Sequence, residues 1–359
     1  MKLFIIAFAF VLCGLSAFAQ NTVILQRGNE VIGQYTSFTQ AVVTAAQGGD
    51  FIFITNSLSD ATITIDKQLN IIGAGFWPNS TPNEPGYTQV NNPLVFGNGS
   101  NGSFVTGIRF TNTVKISGNT SISGITFDRC RFNTLYLAYG FESGFSSSIH
   151  IVRNSYIWEL LGHYGGYSVV NALITNNIIR KVSSFSLMNI FANNIFTGFQ
   201  AEYGEYLITS VYSCSFQNNI IFTSQYGGSY RFLNLSNSNV FTYNMFIGFT
   251  GSGGTNNIFT NSFNNVNKDS VFVNYTPLPA GSSFPYFNFS YDNDYHLLPN
   301  CVGVGAGSDG TDIGIYGGPT PWKEQAYPIN PRITNFFVTP QVPANGIINV
   351  NATVEGQSR

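Results

Sequence analysis

Charge is what this sequence has least of. Only 9% of its 359 residues are Asp, Glu, Lys or Arg, 17 acidic against 15 basic, for a formal net charge of −2. Nucleic acids and anionic membranes are held through dense clusters of Lys and Arg, so this balance argues against either as a partner. Cysteine is nearly as scarce. Four are present, and one of them, Cys13, lies in the N-terminal leader. The remaining Cys130, Cys214 and Cys301 allow at most one disulfide, so packing has to supply the stability. Beyond the leader no apolar run is long enough to cross a bilayer. From Phe104 to Phe263 nothing reads as a helix of more than a turn or two. What is plentiful is uncharged: 37 Gly, 33 Phe and 19 Tyr, with 43% hydrophobic residues overall. That content can bury a core, which argues against disorder, and leaves solubility to Asn, Ser and Thr.

Residues 1–19 carry one basic residue, Lys2, then an apolar run from Leu3 to Val11, then small residues ending at Ala17-Phe18-Ala19. This reads as a secretory signal peptide with an A-x-A cleavage site, and predicts a secreted or cell-surface protein. The run is too short for a membrane anchor, so no span is expected after cleavage. Leu12 stands where a lipoprotein would need a small residue before Cys13.

A short motif recurs through the middle of the chain. Ile174-Thr-Asn-Asn-Ile-Ile179 is echoed by Val152-Arg-Asn-Ser-Tyr-Ile157, Phe191-Ala-Asn-Asn-Ile-Phe196, Phe216-Gln-Asn-Asn-Ile-Ile221 and Phe241-Thr-Tyr-Asn-Met-Phe246, with a degenerate copy at Phe127-Asp-Arg-Cys-Arg-Phe132. Taking the last apolar residue of each copy as an anchor, the spacings are 25, 22, 17, 25 and 25 residues. A repeat of this length is the signature of a solenoid. Stacked about 4.8 Å apart, the anchors Phe132, Ile157, Ile179, Phe196, Ile221 and Phe246 would form an interior apolar column. Asn177, Asn194, Asn219 and Asn244, two residues before their anchors, would sit at a turn. There Asn tolerates a left-handed backbone and can bond the Asn above and below. This regularity reads as scaffold rather than ligand ladder.

Upstream, Ser37 can cap a helix through Gln40 to Ala46, Gly48-Gly49-Asp50 ends it, and Phe51-Ile-Phe-Ile54 reads as a strand. Ile63-Thr-Ile65 and Leu69-Asn-Ile-Ile-Gly73 continue the strand pattern. Residues 76–102, rich in Pro, Asn and Gly, read as a surface loop. The opening helix, the Gly-Asp and strand, Ile63-Thr-Ile65, Leu69-Asn-Ile-Ile-Gly73 and the Asn-Asn repeats together resemble the right-handed parallel β-helix of the pectin-lyase-like superfamily. The stretch from Asp294-Tyr-His-Leu297 through Gly305 to Gly318 is similar to the closing coil of many secreted bacterial members. The resemblance implies an all-β solenoid of about ten coils over residues 20–318, with a helix covering its first edge. Residues 319–359 read as a Pro-rich linker and a C-terminal β-hairpin around Asn345-Gly346, folded back over the last coil.

Function tends to lie in the loop inserted into each coil. Counting from the anchors, Tyr139, Tyr164 and Tyr203 stand seven residues on, and Glu142, Tyr167 and Tyr206 ten. Tyr226 and Tyr230 occupy the loop of the next coil. If the coils stack in register, these side chains make one aromatic strip with Glu159, His163, Glu202 and Glu205. The short coil ending at Ser186 leaves a notch in it. Tyrosine rings and carboxylates suit a polysaccharide or cell-surface glycan, although they could also serve as amphipathic cover for the solenoid edge. Trp158 and Phe185 read as packing residues.

An enzyme is the other reading. Glu142, Glu159 and Glu202 are candidate acid–base carboxylates for glycoside hydrolysis, with His163 a candidate base. Arg129, Arg131, Arg153, Arg180 and Lys181 form the only dense basic cluster, with Arg153 one coil above Arg129 as a possible ridge. The superfamily's catalytic sets do not carry over: the Asp-Asp pair and His-Gly of polygalacturonase-like members are missing. Asp128 is the one Asp between Phe127 and Phe263, where calcium-dependent pectate lyases cluster theirs. Asp292, Asp294, Asp309 and Asp312 could supply oxygens to calcium, but match structural turns better, so no cofactor is expected. A purely adhesive solenoid that recognises protein is the third reading.

Overall fold

A computed structural model of the chain describes residues 23–55, 57–59, 61–77, 87–201, 204–275, 286–324, 332–338 and 350–355. The leader, and with it the signal-peptide reading, lies outside them. The chain winds into a parallel β-solenoid of about nine turns. One long sheet carries parallel strands from Phe51–Ile54 to Ile258–Thr260, and a second runs from Ile63–Ile65 to Phe263–Val266.

The anchors are in register. Phe132 pairs with Phe110 and Ile157, Ile157 with Ile179, Ile179 with Phe196, Phe196 with Ile221, and Ile221 with Phe246. All six are buried. A second interior column stacks the rings of Phe191, Phe216, Phe241 and Phe259 with centroids 4.6, 4.6 and 4.7 Å apart. Each buried ring contributes roughly 2–3 kcal/mol of transfer free energy.

The two asparagines of each repeat divide the work between them. The first, at Asn176, Asn193 and Asn218, takes the left-handed backbone, with φ of 54°, 55° and 56°. The second turns inward. The Oδ1 of Asn194 accepts the backbone N–H of Asn177 at 2.9 Å, Asn219 that of Asn194 at 2.8 Å, and Asn244 that of Asn219 at 3.0 Å. Each Nδ2 donates in turn to a carbonyl of the preceding rung, Val152, Ile174, Phe191 and Phe216. Ser155 and Ser262 extend the column at either end. The left-handed position therefore belongs one residue earlier than the sequence suggested.

At the front, Ser37 caps Phe38–Gln40 by accepting the N–H of Gln40 at 3.2 Å, and the helix widens to a π-helical turn over Ala41–Ala45. An antiparallel hairpin, Val23–Arg27 with Glu30–Tyr35, adds to the first sheet edge as well. Part of the expected 76–102 loop is instead ladder, since Thr88–Val90 and Leu94–Phe96 pair with Ile108–Ile116. The three cysteines are buried and unpaired. Arg332–Val338 and Val350–Glu355 pair antiparallel, as the hairpin reading requires, while its Asn345-Gly346 turn lies outside the described residues.

The expected closing coil is not another rung. Asp294–Leu297 pairs antiparallel with Phe272–Asn274, and residues 303–322 then run as a strap along the side of the solenoid. Asn218 bonds Ser308, Asn193 reaches the carbonyl of Gly314 at 3.4 Å, and Asn176 donates to the carbonyls of Ile315 and Gly317 at 2.8 Å each. Outward-facing Ile178, Ile195, Ile220 and Met245 are buried under Ile313, Ile315 and Trp322 of the strap together with Phe287 and Tyr295 just before it, a second core outside the solenoid.

Candidate functional site

Tyr139 and Tyr164 come together as the repeat count requires. Their short strands, Tyr139–Phe141 and Tyr164–Gly166, pair in parallel, and the two rings stack at 5.0 Å with 14° between planes. Gly166 is needed there, at φ 70°, because a Cβ would meet the carbonyl oxygen of Phe141 at 1.9 Å. Tyr136 meets both rings edge-on, at 5.4 and 6.0 Å, and Lys115 lies 4.1 Å over Tyr139 from the preceding rung. Burial raises the Tyr136 phenol pKa, and Glu159 and the two tyrosines add to it. The stack thus runs Lys115, Tyr139, Tyr164 along the solenoid axis. Beyond it the next strand, Val182–Ser186, turns straight through Leu187 and Met188 without a loop. Tyr164 is left 58% exposed, and no described ring or cation covers its far face. The notch expected at Ser186 is there.

Tyr206, Tyr226 and Tyr230 do not continue that stack. In the coils anchored at Phe132 and Ile157, the extra residues follow the strand after the anchor, past Tyr136 and Leu161. In the coils anchored at Phe196 and Ile221, they precede it, ahead of Ile208 and Leu233. The same count from the anchor therefore lands in a different loop. Tyr206 lies under Arg231, whose Nη1 donates to its hydroxyl at 2.6 Å, with the guanidinium 5.1 Å from its ring and 5.7 Å from that of Tyr226. Tyr226 sits on a small hairpin, Ser224–Tyr226 with Ser229–Arg231. Tyr230 donates to the carbonyl of Gly248 at 2.8 Å and, with Tyr206, Phe249, Thr250 and Asn265, lines a cleft of about 510 Å³.

The two aromatic groups are joined through ions. Lys181 Nζ lies 3.4 Å from Glu159 and 3.4 Å from Glu205, spanning three successive rungs beside Tyr136 and Tyr206. Counting from anchors misses Tyr136, Lys115 and Arg231, and puts Lys181 in the basic cluster rather than on this flank, although the pairing of Tyr136 with Lys115 and Leu161, and of Leu160 with Val182, makes the register neighbours visible. Glu142 and Tyr167 are exposed near the Tyr139–Tyr164 pair. Glu202 and Tyr203 lie outside the described residues. His163, half-buried, has its pKa pulled down by that burial, and its Nδ1 finds no partner among the described residues.

The basic cluster is not a ridge. Arg153 pairs in register with Asp128 rather than Arg129, and Arg129 is buried. Arg131 donates to the Tyr291 hydroxyl and lies over the Tyr156 ring, while Arg180 is held 4.1 Å over Trp158 and 4.2 Å over Phe199. Phe185 is buried as expected, but Trp158 is 40% exposed beneath Arg180. The aspartates hold turns. Asp294 accepts from the N–H and ring of His296, Asp309 from Thr311, and Asp312 from the N–H of Gly305. Among the described residues no three His, Cys, Asp or Glu side chains gather as a metal-binding set.

No protein-family model matches this chain, and neither a curated protein nor a solved structure does.

Proposed function

We propose that the protein is a secreted, pectin-lyase-like β-helix that binds a neutral or weakly charged glycan along this flank. The observation that carries the reading is the open face of Tyr164. Tyr139 backs the ring, Lys115 backs Tyr139, and the missing loop of the next coil leaves a step one ring deep. A sugar ring stacks its C–H face on such a surface, and the phenol supplies a hydrogen-bonding rim. Glu159, Lys181 and Glu205 stand at the proposed subsite edge as acceptors and a donor for hydroxyls. Their mutual ion pairs fix their positions, and Lys181 offsets one of the two carboxylate charges, leaving the subsite edge weakly acidic.

The test is a polysaccharide panel titrated calorimetrically against the purified protein, with reducing ends and unsaturated uronates followed over time. Tyr164→Ala is expected to weaken binding about tenfold, ~1.4 kcal/mol, without any turnover. Turnover abolished by Glu159→Gln would replace the binding reading with the enzymatic one. No binding to any glycan would leave an adhesive solenoid that recognises protein.

A further inference from the structure

The strap covers one side of the solenoid and leaves its last rung open. The two long sheets end at Ile258–Thr260 and Phe263–Val266, and no described strand pairs beyond either. The N–H of Ile258 donates back to Asn239 and the carbonyl of Thr260 accepts from Tyr243, so the alternation along a strand turns the N–H and C=O of Phe259 onward, away from the preceding rung. The Phe259 ring is also the last of its interior column. Phe191, Phe216 and Phe241 are fully buried, whereas Phe259 is half-buried and Ile258 beside it is 53% exposed. An open edge with apolar core behind it is a template for further pairing, and proteins guard such edges with caps, bulges and charge. The front of the solenoid has all three: the helix, and a hairpin whose ladder shifts register between Leu25 and Gln26 and whose outer strand begins at exposed Glu30. At the rear, Ile258–Thr260 pairs without a shift, and Thr255 to Val266 contains no charged residue.

The chain's own later segments lead elsewhere. Tyr275 and Tyr286, which flank residues 276–285, hold to Phe222 and Gln200, two and three rungs back. The strap runs the other way, from Asn218 to Asn176, and Trp322 near its end packs against Phe76. Asn176 and Asn261 stand four rungs apart on the left-handed track where the strap docks, about 19 Å. Residues 325–331 pulled straight would span only about 25 Å, so they would have to retrace the whole strap to bring the C-terminal hairpin over the last rung.

We infer that the last rung is a docking surface for a second copy of this chain, the two ends meeting tail to tail about a twofold axis. In that arrangement Ile258–Thr260 pairs antiparallel with itself. Phe259 faces its own counterpart and exchanges both backbone hydrogen bonds with it, the interior ring column continues across the axis, and Ile258 faces the counterpart of Thr260. A second copy fits because it brings the same onward donor and acceptor and the same open ring, and because two charge-free rungs bury no unpaired ion. One rung makes a small interface, close to the lower limit of about 1,200 Å² for specific ones, so dissociation in the micromolar range is expected. The dimer does not depend on how the tyrosine flank is read.

The test is sedimentation equilibrium of the purified protein from about 1 to 200 µM, where a reversible monomer–dimer equilibrium is expected. Ile258→Lys combined with Thr260→Lys sets like charges directly opposite each other twice across the axis, and should weaken association about tenfold or more. Ile258→Lys combined with Thr260→Glu sets opposite charges there and should restore it. Both positions are exposed, so both variants should keep the circular dichroism of the wild type. Hydrogen exchange in the wild type decides the matter if a variant does not fold, because the Phe259 N–H should exchange more slowly as the dimer fills. Monomer at every concentration, masses growing past two chains, association unmoved by the two lysines, no recovery with the glutamate, or a Phe259 N–H indifferent to concentration would each overturn the assignment.

Discussion

His150 gives the solenoid a stability that should fall on acidification before any carboxylate titrates. The ring occupies one rung of an interior column. Its Nδ1 accepts the backbone N–H of Ile125 at 3.1 Å, its Nε2 is 2.8 Å from Ser147 Oγ, and it is fully buried. Only a neutral imidazole can accept at Nδ1, and burial lowers its pKa from 6.5 to about 3. In the unfolded chain the group binds a proton below about 6.5, whereas the folded chain refuses it until about 3. The stabilisation is therefore complete well above 6.5 and is lost as the pH falls through 6.5 toward 3. One proton is worth up to about 1.4 kcal/mol per pH unit, and the slope is half developed at pH 6.5, so pH 4.5 should cost about 2.3 kcal/mol relative to pH 6.5. Asparagine does the same job elsewhere in this column, Asn189, Asn239 and Asn257 accepting the N–H groups of Ala172, Cys214 and Asn239 at 2.8, 3.0 and 2.8 Å. His150→Asn should thus keep the bond and remove most of the slope, with half-buried His163 leaving a smaller one of the same sign. Urea unfolding followed by circular dichroism at pH 7.5, 6.5, 5.5 and 4.5 measures both proteins. Equal slopes in the two, or none in the wild type, would refute the reasoning.

Two further substitutions separate the roles of neighbouring asparagines. Asn219→Ala orphans the buried N–H of Asn194 and removes the side-chain donor to the Phe191 carbonyl. At about 1–3 kcal/mol for each of the two orphaned groups, urea unfolding should show a loss of about 2–6 kcal/mol, and a loss below about 1 would sink the ladder argument. Asn176→Gly keeps the left-handed backbone but deletes both 2.8 Å bonds to the strap. Hydrogen exchange should then quicken across residues 305–322 while the rungs stay protected, and unchanged strap protection would count against the docking track.

The solenoid was readable because its determinants are local and repeated. An apolar anchor on every rung and a turn residue beside it specify both the stacking and the register, and the anchors pair as counted. The strap was not read, though a signal for it is present. In Asn-Asn-Ile-Ile two consecutive strand residues are apolar, and neighbours in a strand face opposite sides of the sheet. Ile178 and Ile179 cannot both point inward. Ile178, Ile195, Ile220 and Met245 on the outer face announce a second buried surface, which the 303–322 segment supplies. What the pattern could not say is which segment covers it, because that contact spans more than a hundred residues.

The site was half legible for a geometrical reason. Counting from an anchor measures chain length, but a coil has more than one turn at which extra residues can leave, and the count is the same whichever is used. Tyr139 and Tyr164 leave by the same turn, so the count put them in one stack. Tyr206 leaves before its strand rather than after it, and only the ion pairs of Lys181 with Glu159 and Glu205 bring the two groups back into one surface. The distinguishing mark is where the next apolar pair falls. Leu135 and Leu160 follow their anchors by three residues, but Ile208 and Leu233 follow theirs by twelve. Register counted from both ends of each loop, rather than from one, would have divided the tyrosines as the fold does.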